Sequence, residues 1–245
     1  MSKIEAVILA AGKGTRMKSD LPKVLHPLSG RPLLDHVLDT VEAAGIGHAV
    51  VVVGHQADLV RERCAREGLD FALQVPQLGT GHAVQCAAPR LDPEGHCVVL
   101  AGDVPLLRPG TVRRLVDETL ESGAAATVLT CVVPDAGAYG RIIKDSGGAL
   151  RRIVEARDAT PEELAVGEYN TGVFCFRTAD LIEALGSLKT DNTQGEYYLT
   201  DTVAYLVGRG RRVEAVATFD PGEVVGINTL DELAAATILL TERGD

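Results

Sequence analysis

The stretch Ala6-Val7-Ile8-Leu9-Ala10-Ala11-Gly12-Lys13-Gly14-Thr15-Arg16-Met17 decides how the rest of the chain is read. Its first six residues are an unbroken apolar run, the pattern of a strand buried on both faces of a parallel sheet. Gly12 ends the run and opens a polar loop in which Lys13, Arg16, Lys18 and Lys23 place four cations within twelve positions. Gly12 and Gly14 let backbone N–H groups approach a phosphate closely, and the cations add charge to that cradle. Two familiar phosphate loops fail here. The dinucleotide pattern G-x-G-x-x-G and the P-loop G-x-x-x-x-G-K-[ST] both require glycine where Met17 stands. A purely structural turn accounts for the two glycines and leaves the cations unexplained.

Working outward, Pro32 opens a helix running to about Ala44, and Ala49 to Val53 form a second buried strand. A helix from Ala57 to Glu67, a strand from Phe71 to Val75 and a helix from Thr80 to Pro89 follow. The strand Cys97 to Ala101 ends in Gly102-Asp103; a helix begins near Pro109, and Ala125 to Val133 form a further strand. This alternation implies a parallel sheet with right-handed crossovers and helices on both faces. From about Asp135 the rhythm changes to shorter strands (140–143, 150–155, 171–177) separated by turns and by the charged segment Glu155 to Glu168. Helices over about 179–188 and 197–208, a strand at 213–217 and a last helix over about 230–240 complete the chain. The expected class is α/β, a Rossmann-like mixed, mostly parallel sheet flanked by helices. The second half adds a smaller antiparallel extension over the carboxyl ends of the first-half strands.

The 245 residues, 46% hydrophobic and 24% charged, suit one large α/β domain. A net charge of -10 argues against a general grip on nucleic acid but leaves phosphorylated small molecules open, provided a few cations share one pocket. The five cysteines show no C-x-x-C spacing and read as small buried hydrophobes in a reducing cytosol. No apolar run approaches the ~18–20 residues of a membrane span, and the start lacks a secretory pattern, so a cytoplasmic protein with no membrane partner is expected. The six histidines lack metal-ligand spacing and read as structural, with His82 set apart because it lies inside a binding motif. Ligands of open α/β sheets bind beyond the carboxyl ends of the strands, where the Gly12–Lys23 loop and Gly102-Asp103 fall. Asp103 there either caps the next turn or holds a metal.

Leu9 to Met17 with Leu21-Pro22-Lys23 resembles the nucleotide-sugar pyrophosphorylase superfamily. More closely, the chain is similar to the uridyltransferase domain of the bacterial bifunctional UDP-N-acetylglucosamine pyrophosphorylase/glucosamine-1-phosphate acetyltransferases. The resemblance continues through Gln77-Leu78-Gly79-Thr80-Gly81-His82-Ala83, Gly102-Asp103-Val104-Pro105-Leu106, Tyr139-Gly140-Arg141-Ile142 and Ile153-Val154-Glu155. It ends in Tyr169-Asn170-Thr171-Gly172, the string Gln194-Gly195-Glu196-Tyr197-Tyr198-Leu199-Thr200-Asp201, and Val225-Gly226-Ile227-Asn228. The L-G-T-G-H-A and Q-G-E-Y-Y-L-T-D strings are the most specific.

The resemblance implies transfer of a uridylyl group from UTP to N-acetylglucosamine-1-phosphate, with Mg²⁺ as cofactor. Leu9, Ala10, Ala11 and Gly12 would wrap the nucleotide, and Arg16 and Lys23 would be the catalytic cations facing its phosphates. Gln74, Gly79 and Thr80 would read the uracil, with Ala101 and Gly102 along the ribose. Gly140, Glu155, Asn170, Thr171 and Asn228 would hold the sugar phosphate, Asp103 would join the nucleotide site, and Asp103 and Asn228, 125 positions apart, would coordinate the metal. Glu196 and Asp201 would either approach the sugar or fix the helix that follows them. Residues 1–228 would form the nucleotidyltransferase domain, 1–134 its nucleotide half and 135–228 its sugar-phosphate half, with 229–245 a C-terminal helix. No hexapeptide repeat stands in this sequence, so neither the acetyltransferase activity nor the trimer of that family's β-helix domain is carried over, and the oligomeric state stays open. Other sugar-1-phosphates with UTP or dTTP are the nearest alternative. A catalytically silent nucleotide-sugar sensor is disfavoured by the presence of both metal ligands and both phosphate cations.

Overall fold

The computed structural model describes residues 3–243. Successive side chains of β1 (Ile4–Leu9) are buried against two different helical layers. Ala6 and Ile8 face one core and Val7 the other, the period-2 alternation of a strand covered on both sides. A hairpin, β2 (Pro27–Leu28) and β3 (Arg31–Pro32), turns through Ser29 and Gly30, both with positive φ (49° and 83°) as a primed two-residue turn requires. The chain alternates through α1 (Leu33–Ala43), β4 (Ala49–Val53), α2 (Ala57–Cys64), β5 (Leu69–Leu73), α3 (Thr80–Ala87), β6 (His96–Ala101), α4 (Pro109–Ser122) and β7 (Ala126–Val132). It continues through β8 (Arg141–Lys144), β9 (Leu150–Val154), α5 (Pro161–Leu164), β10 (Glu168–Arg177), α6 (Thr178–Leu185), α7 (Asp201–Gly208), β11 (Val213–Thr218) and α8 (Leu230–Arg243).

The main sheet has nine strands in the order β11-β7-β10-β6-β1-β4-β5, with β8 pairing to β10 and β9 to β8. β6, β1, β4 and β5 are mutually parallel, as are β11 and β7, while β10 runs antiparallel between β6 and β7. The fold class is therefore the expected mixed α/β sheet with helices on both faces. The second half is not a cover laid over the first, however. Its longest strand fills the gap between β6 and β7, because most of β10 is buried and can only be satisfied with a neighbour on each edge. Only β8 and β9 project as a small antiparallel unit.

Two cores follow from the alternation. Val51, Val53, Val98 and Leu100 pack toward α1, α2 and α4, and Val50, Val52, Cys97 and Val99 toward α3, α6 and α7. Val50 to Val53 are fully buried, each contributing roughly 1.5 kcal/mol or more. A third cluster, with Leu28, Leu33, Leu106, Ile227 and Ala236, seats α8 against the β2–β3 hairpin. Three local expectations shift. Pro32 belongs to β3 rather than to the helix it precedes. The charged segment contains α5, closed by a capping box between Thr160 and Glu163. The helix expected from Tyr197 begins at Asp201, because residues 197–199 pair with residues 78–81 instead. Among the described residues no helix is long and apolar enough to cross a membrane.

Glu5 is a charged residue in the central strand, fully buried. Its carboxylate meets Lys3 Nζ (2.8 Å) and His48 Nδ1 (2.8 Å) and accepts the Asp92 N–H (2.6 Å). Burial pushes its pKa up and is the largest single effect, but Lys3, the Asp92 N–H and His48 together bring the net below the ordinary 4.5. A carboxylate so lowered contributes stability above its ordinary pKa, and that contribution is lost as the pH falls through the native value. The stability gap between the native chain and Glu5→Gln, from urea unfolding, is expected to be full at neutral pH and to shrink below the ordinary 4.5. A gap independent of pH would assign the effect to packing instead.

Candidate active site

The parallel strands β6, β1, β4 and β5 all end at one edge of the sheet, and the antiparallel β10 begins there. Two cavities open on that edge. The larger, about 560 Å³, is lined by Leu9 to Thr15, Lys23, Gln74, Gln77, Gly79, Thr80, Ala101, Asp103 and Glu196 among others. The smaller, about 220 Å³, is lined by Gly140, Glu155, Asn170, Thr171 and Asn228 among others, and it shares Ala101 and Asp103 with the larger. Gly102 is buried behind this shared wall, its N–H bonded to Leu9 O (2.9 Å). A separate cavity of about 330 Å³ beside α3 and α6 has no charged side chain in its lining.

Asp103 and Asn228 meet because the backbone ties them: Ile227 N–H donates to Asp103 C=O (2.8 Å). Asn228 then enters α8 through a capping box. Glu232 Oε2 accepts the N–H groups of Asn228 (2.6 Å) and Thr229 (2.9 Å), and Thr229 Oγ1 accepts the Glu232 N–H (3.2 Å). Lys23 Nζ donates to Asp103 Oδ2 and to Asn228 Oδ1 (3.0 Å), and Arg16 Nη2 donates to the same Asn228 oxygen (2.9 Å). Four of the predicted site residues thus form one charged knot. Of the loop's other cations, Lys13 lines the larger cavity and Lys18, exposed with φ 50°, does not. Gly14 has φ +60°, and a Cβ on it would lie 2.5 Å from Lys23 Cβ, so the glycine is what allows Lys23 to close on the loop.

At the far end of the larger cavity the two most specific strings bind each other. Tyr197 N–H donates to Leu78 O (2.8 Å), Gly81 N–H to Tyr197 O (2.7 Å), and Leu199 N–H to Thr80 Oγ1 (3.1 Å). Gly79 has φ +104°, and a Cβ there would lie 2.7 Å from Tyr197 O, so no side chain is tolerated. Gln74, almost fully buried, follows β5 and donates its amide to Gly79 O (2.9 Å). Gln77, not among the predicted site residues although it begins one of the quoted strings, donates to Ala11 O and holds the nucleotide loop.

Around the smaller cavity, Asn170 accepts the Gly172 N–H on Oδ1 (3.0 Å), and its own N–H bonds Gly140 O (2.8 Å). The Thr171 hydroxyl is committed to Leu129 O (2.8 Å), which fixes the β10 bulge rather than offering a donor to a ligand. Arg141, buried and also absent from the predicted set, pins the loop before it through the carbonyls of Gly137, Tyr139 and Leu164. Glu155 accepts from Thr200 Oγ1 (2.9 Å). Burial, aided by Asp201, Asp158 and Glu196, pushes its carboxyl above the ordinary range against the Thr200 hydrogen bond. Asp201 begins α7, and burial raises its pKa as well.

The fold and this edge define an α/β protein with a large cavity beside a cationic loop and a second cavity next to it. Residues 6–139 match the MobA-like NTP transferase domain, and the chain belongs to that family. It is 49% identical over 244 residues to the bifunctional protein GlmU of Brevibacillus brevis, covering 99% of this chain and 53% of that protein. It is 50% identical over 238 residues to the GlmU of Geobacter metallireducens, covering 96% of this chain and 50% of that one. The chain therefore spans about half the length of the curated relatives it matches. A protein of Bacillus anthracis described as a glucose-1-phosphate thymidylyltransferase, crystallised with a sucrose, has the same fold. The TM-score is 0.76 at 20% identity, over 96% of this chain and 94% of that one.

Gly14→Ala forces a side chain into a left-handed backbone and against Lys23, a cost of about 1–3 kcal/mol. Affinity for a nucleoside triphosphate, measured by calorimetric titration, is expected to fall about tenfold, the equivalent of 1.4 kcal/mol. Unchanged affinity would detach the Lys23 position from triphosphate binding.

Proposed function

We propose that the chain transfers a uridylyl group from UTP to N-acetylglucosamine-1-phosphate, releasing pyrophosphate, in the cytoplasm and without nucleic-acid or membrane partners. The observation that carries this reading is the pair of cavities meeting at Asp103, with Arg16 and Lys23 gathered on the same knot. The larger cavity accommodates the nucleotide, mainly on residues 1–134, and the smaller the sugar phosphate, mainly on residues 135–228. Similarity to the GlmU proteins over nearly the whole chain favours this substrate pair over other sugar-1-phosphates.

The reaction is an in-line attack by a phosphate oxygen of the sugar phosphate on the α-phosphorus of UTP. The nucleophile is an anion at neutral pH, so no general base is required, and the work left to the protein is positioning and charge neutralisation. Arg16 and Lys23 face the triphosphate, Gln74 with Gly79 and Thr80 reads the uracil edge, and Gly140, Glu155 and Asn170 hold the sugar phosphate.

Asp103 Oδ2 and Asn228 Oδ1 both bond one ammonium, so they converge on a point that accepts a cation. Two hard oxygens suit Mg²⁺, which keeps waters and takes its remaining ligands from phosphates. Among the described residues no group of three or more His, Cys, Asp or Glu competes as a metal site. Asp103 and Asn228 would hold Mg²⁺, and the ion would supply charge neutralisation to the triphosphate.

Pyrophosphate release over a matrix of nucleoside triphosphates and sugar-1-phosphates, with and without Mg²⁺, tests this. Turnover is expected to be greatest for UTP with N-acetylglucosamine-1-phosphate and Mg²⁺, and to fall roughly 10²-fold or more in kcat for Asp103→Ala. No turnover with any pair would overturn the enzyme reading, and a preference for glucose-1-phosphate would overturn the sugar. A second expectation concerns pH. Because Glu155 titrates above the ordinary carboxylate range, lowering the pH protonates it sooner than a solvated glutamate and removes its charge from the sugar. The KM for the sugar phosphate is expected to rise as the pH falls toward the carboxylate range, beginning above the ordinary 4.5, and Glu155→Gln to remove the share of that rise that the Glu155 charge carries while raising KM throughout. A pH-independent KM in the native chain would remove Glu155 from the sugar site.

A further inference from the structure

Gln74 is almost fully buried where it lines the larger cavity, and its amide is held at two points. Nε2 lies 2.9 Å from Gly79 O and 3.2 Å from His82 Nδ1. A carbonyl oxygen can only accept, so the amide nitrogen must be the atom that faces Gly79. The second hydrogen of that nitrogen then points to His82 Nδ1, which must carry a lone pair. The imidazole is thereby fixed with its proton on Nε2, and that nitrogen lies 3.7 Å from Cys86 Sγ, a weak acceptor one helical turn on. Both amide hydrogens of Gln74 are consumed, and among the described residues nothing donates to its Oε1.

We propose that His82 sets the chain's choice of nucleobase by taking up the second Gln74 hydrogen, so that the cavity meets an acceptor and no donor from that amide. The inference rests on the uridylyl reading and deepens it. Uracil presents N3–H along its pairing edge and meets Gln74 Oε1 as donor to acceptor. Cytosine presents a bare N3, which meets the same oxygen as acceptor to acceptor. Were the second Gln74 hydrogen free, it would satisfy cytosine N3 and the distinction would weaken. A site whose buried polar group is left unpaired by the wrong ligand discriminates far more strongly than one that relies on shape. Thymine carries the same N3–H and is not distinguished by this device. His82 is a positioning residue: it touches Gln74, and through Gln74 the base. It stands on the first turn of α3, whose entry at Gly79 and Gly81 is fixed by the Tyr197 backbone, so the ring is placed by the same contact that joins the two specific strings.

The test compares His82→Leu with His82→Asn, because Asn Oδ1 falls close to the position of His Nδ1 and accepts, whereas the Leu methyl cannot. Steady-state rates with UTP, dTTP and CTP are read at saturating N-acetylglucosamine-1-phosphate and Mg²⁺. The expected result for His82→Leu is a loss of about tenfold in UTP-over-CTP preference, equivalent to about 1.4 kcal/mol. That loss is carried by KM, with kcat on UTP within about twofold and the UTP-to-dTTP ratio unchanged. His82→Asn restores the preference to within about threefold of the native chain, and His82→Ala gives the Leu result where the larger side chain disturbs packing. A Leu or Ala variant as selective as the native chain, or an Asn variant no better than Leu, overturns the inference alone. A native chain inert toward UTP overturns the uridylyl reading and this inference with it.

Discussion

A single backbone hydrogen bond, Ile227 N–H to Asp103 C=O, is the constraint on which the site depends. It joins the end of a central parallel strand to the segment that leads into the last helix, two pieces of chain more than a hundred residues apart. It sets Asn228 beside Asp103, so that a side-chain oxygen of each meets Lys23 Nζ. The capping box between Thr229 and Glu232 makes the bond worth keeping, since it fixes the backbone of residue 228 at the start of α8. Ile227 anchors the same segment in the apolar cluster under that helix. Packing, helix entry and charge placement thus meet within three residues. A carboxylate and an amide oxygen so fixed would repel each other without a cation, and Lys23 and Arg16 supply the charge.

The second organising contact runs between residues 78–81 and 197–199. It is made of backbone groups, so its geometry depends on glycine more than on side-chain chemistry. A Cβ at Gly79 would meet the Tyr197 carbonyl, and the Gly81 N–H bonds that carbonyl. This is why two short strings far apart in the chain carry so much information. Each is constrained by the shape of the other as well as by the ligand cavity. Their union also shapes the part of the cavity lined by Gln74, Gly79 and Thr80, where the proposal places the base.

How much of this is legible in the sequence differs by element. β4 is readable because Ala49 to Val53 are apolar without interruption and are buried on both faces, and the structure keeps both boundaries. β10 is harder to place. Its apolar residues mark a buried strand, but nothing local says that it runs antiparallel or that it inserts between β6 and β7, because strand order is a property of long-range pairing. The β2–β3 hairpin is hidden for a different reason: Pro27, Pro32 and Ser29-Gly30 look like loop, and two-residue strands leave no periodicity to detect. In the site, Lys23 stands out in a cationic loop and Asp103 as a charge just past a strand end, whereas Asn228 is chemically ordinary and only family resemblance singles it out. Gln77 and Arg141 act on backbone carbonyls, Ala11 O for one and the 137–139 loop for the other, and such roles have no signature in residue type. Thr171 shows the reverse: it adjoins Asn170 in a recognisable motif, yet its hydroxyl is absorbed by the bulge.

The cleft is also polar in the electrical sense, and this reconciles a net charge of -10 with the proposed triphosphate ligand. Arg16, Lys23 and Lys13 gather at the loop after β1, while Glu155, whose carboxyl is raised first by burial, has the charges of Asp201, Asp158 and Glu196 around it, which raise it further. Glu196 lines the larger cavity together with Lys13 and Lys23, so that cavity carries both signs. A ligand with a concentrated negative tail and a neutral base is aligned by such a field, tail toward the cations and base toward Gln74. On the proposed reading, these carboxylates also disfavour a second polyanion in the smaller cavity, from which a monophosphate would approach the wall of Ala101 and Asp103 shared by the two cavities. Asp103 is itself neutralised by Lys23. Under that proposal the negative surplus of the chain would serve the selectivity of the cleft, because it confines positive potential to one corner of it.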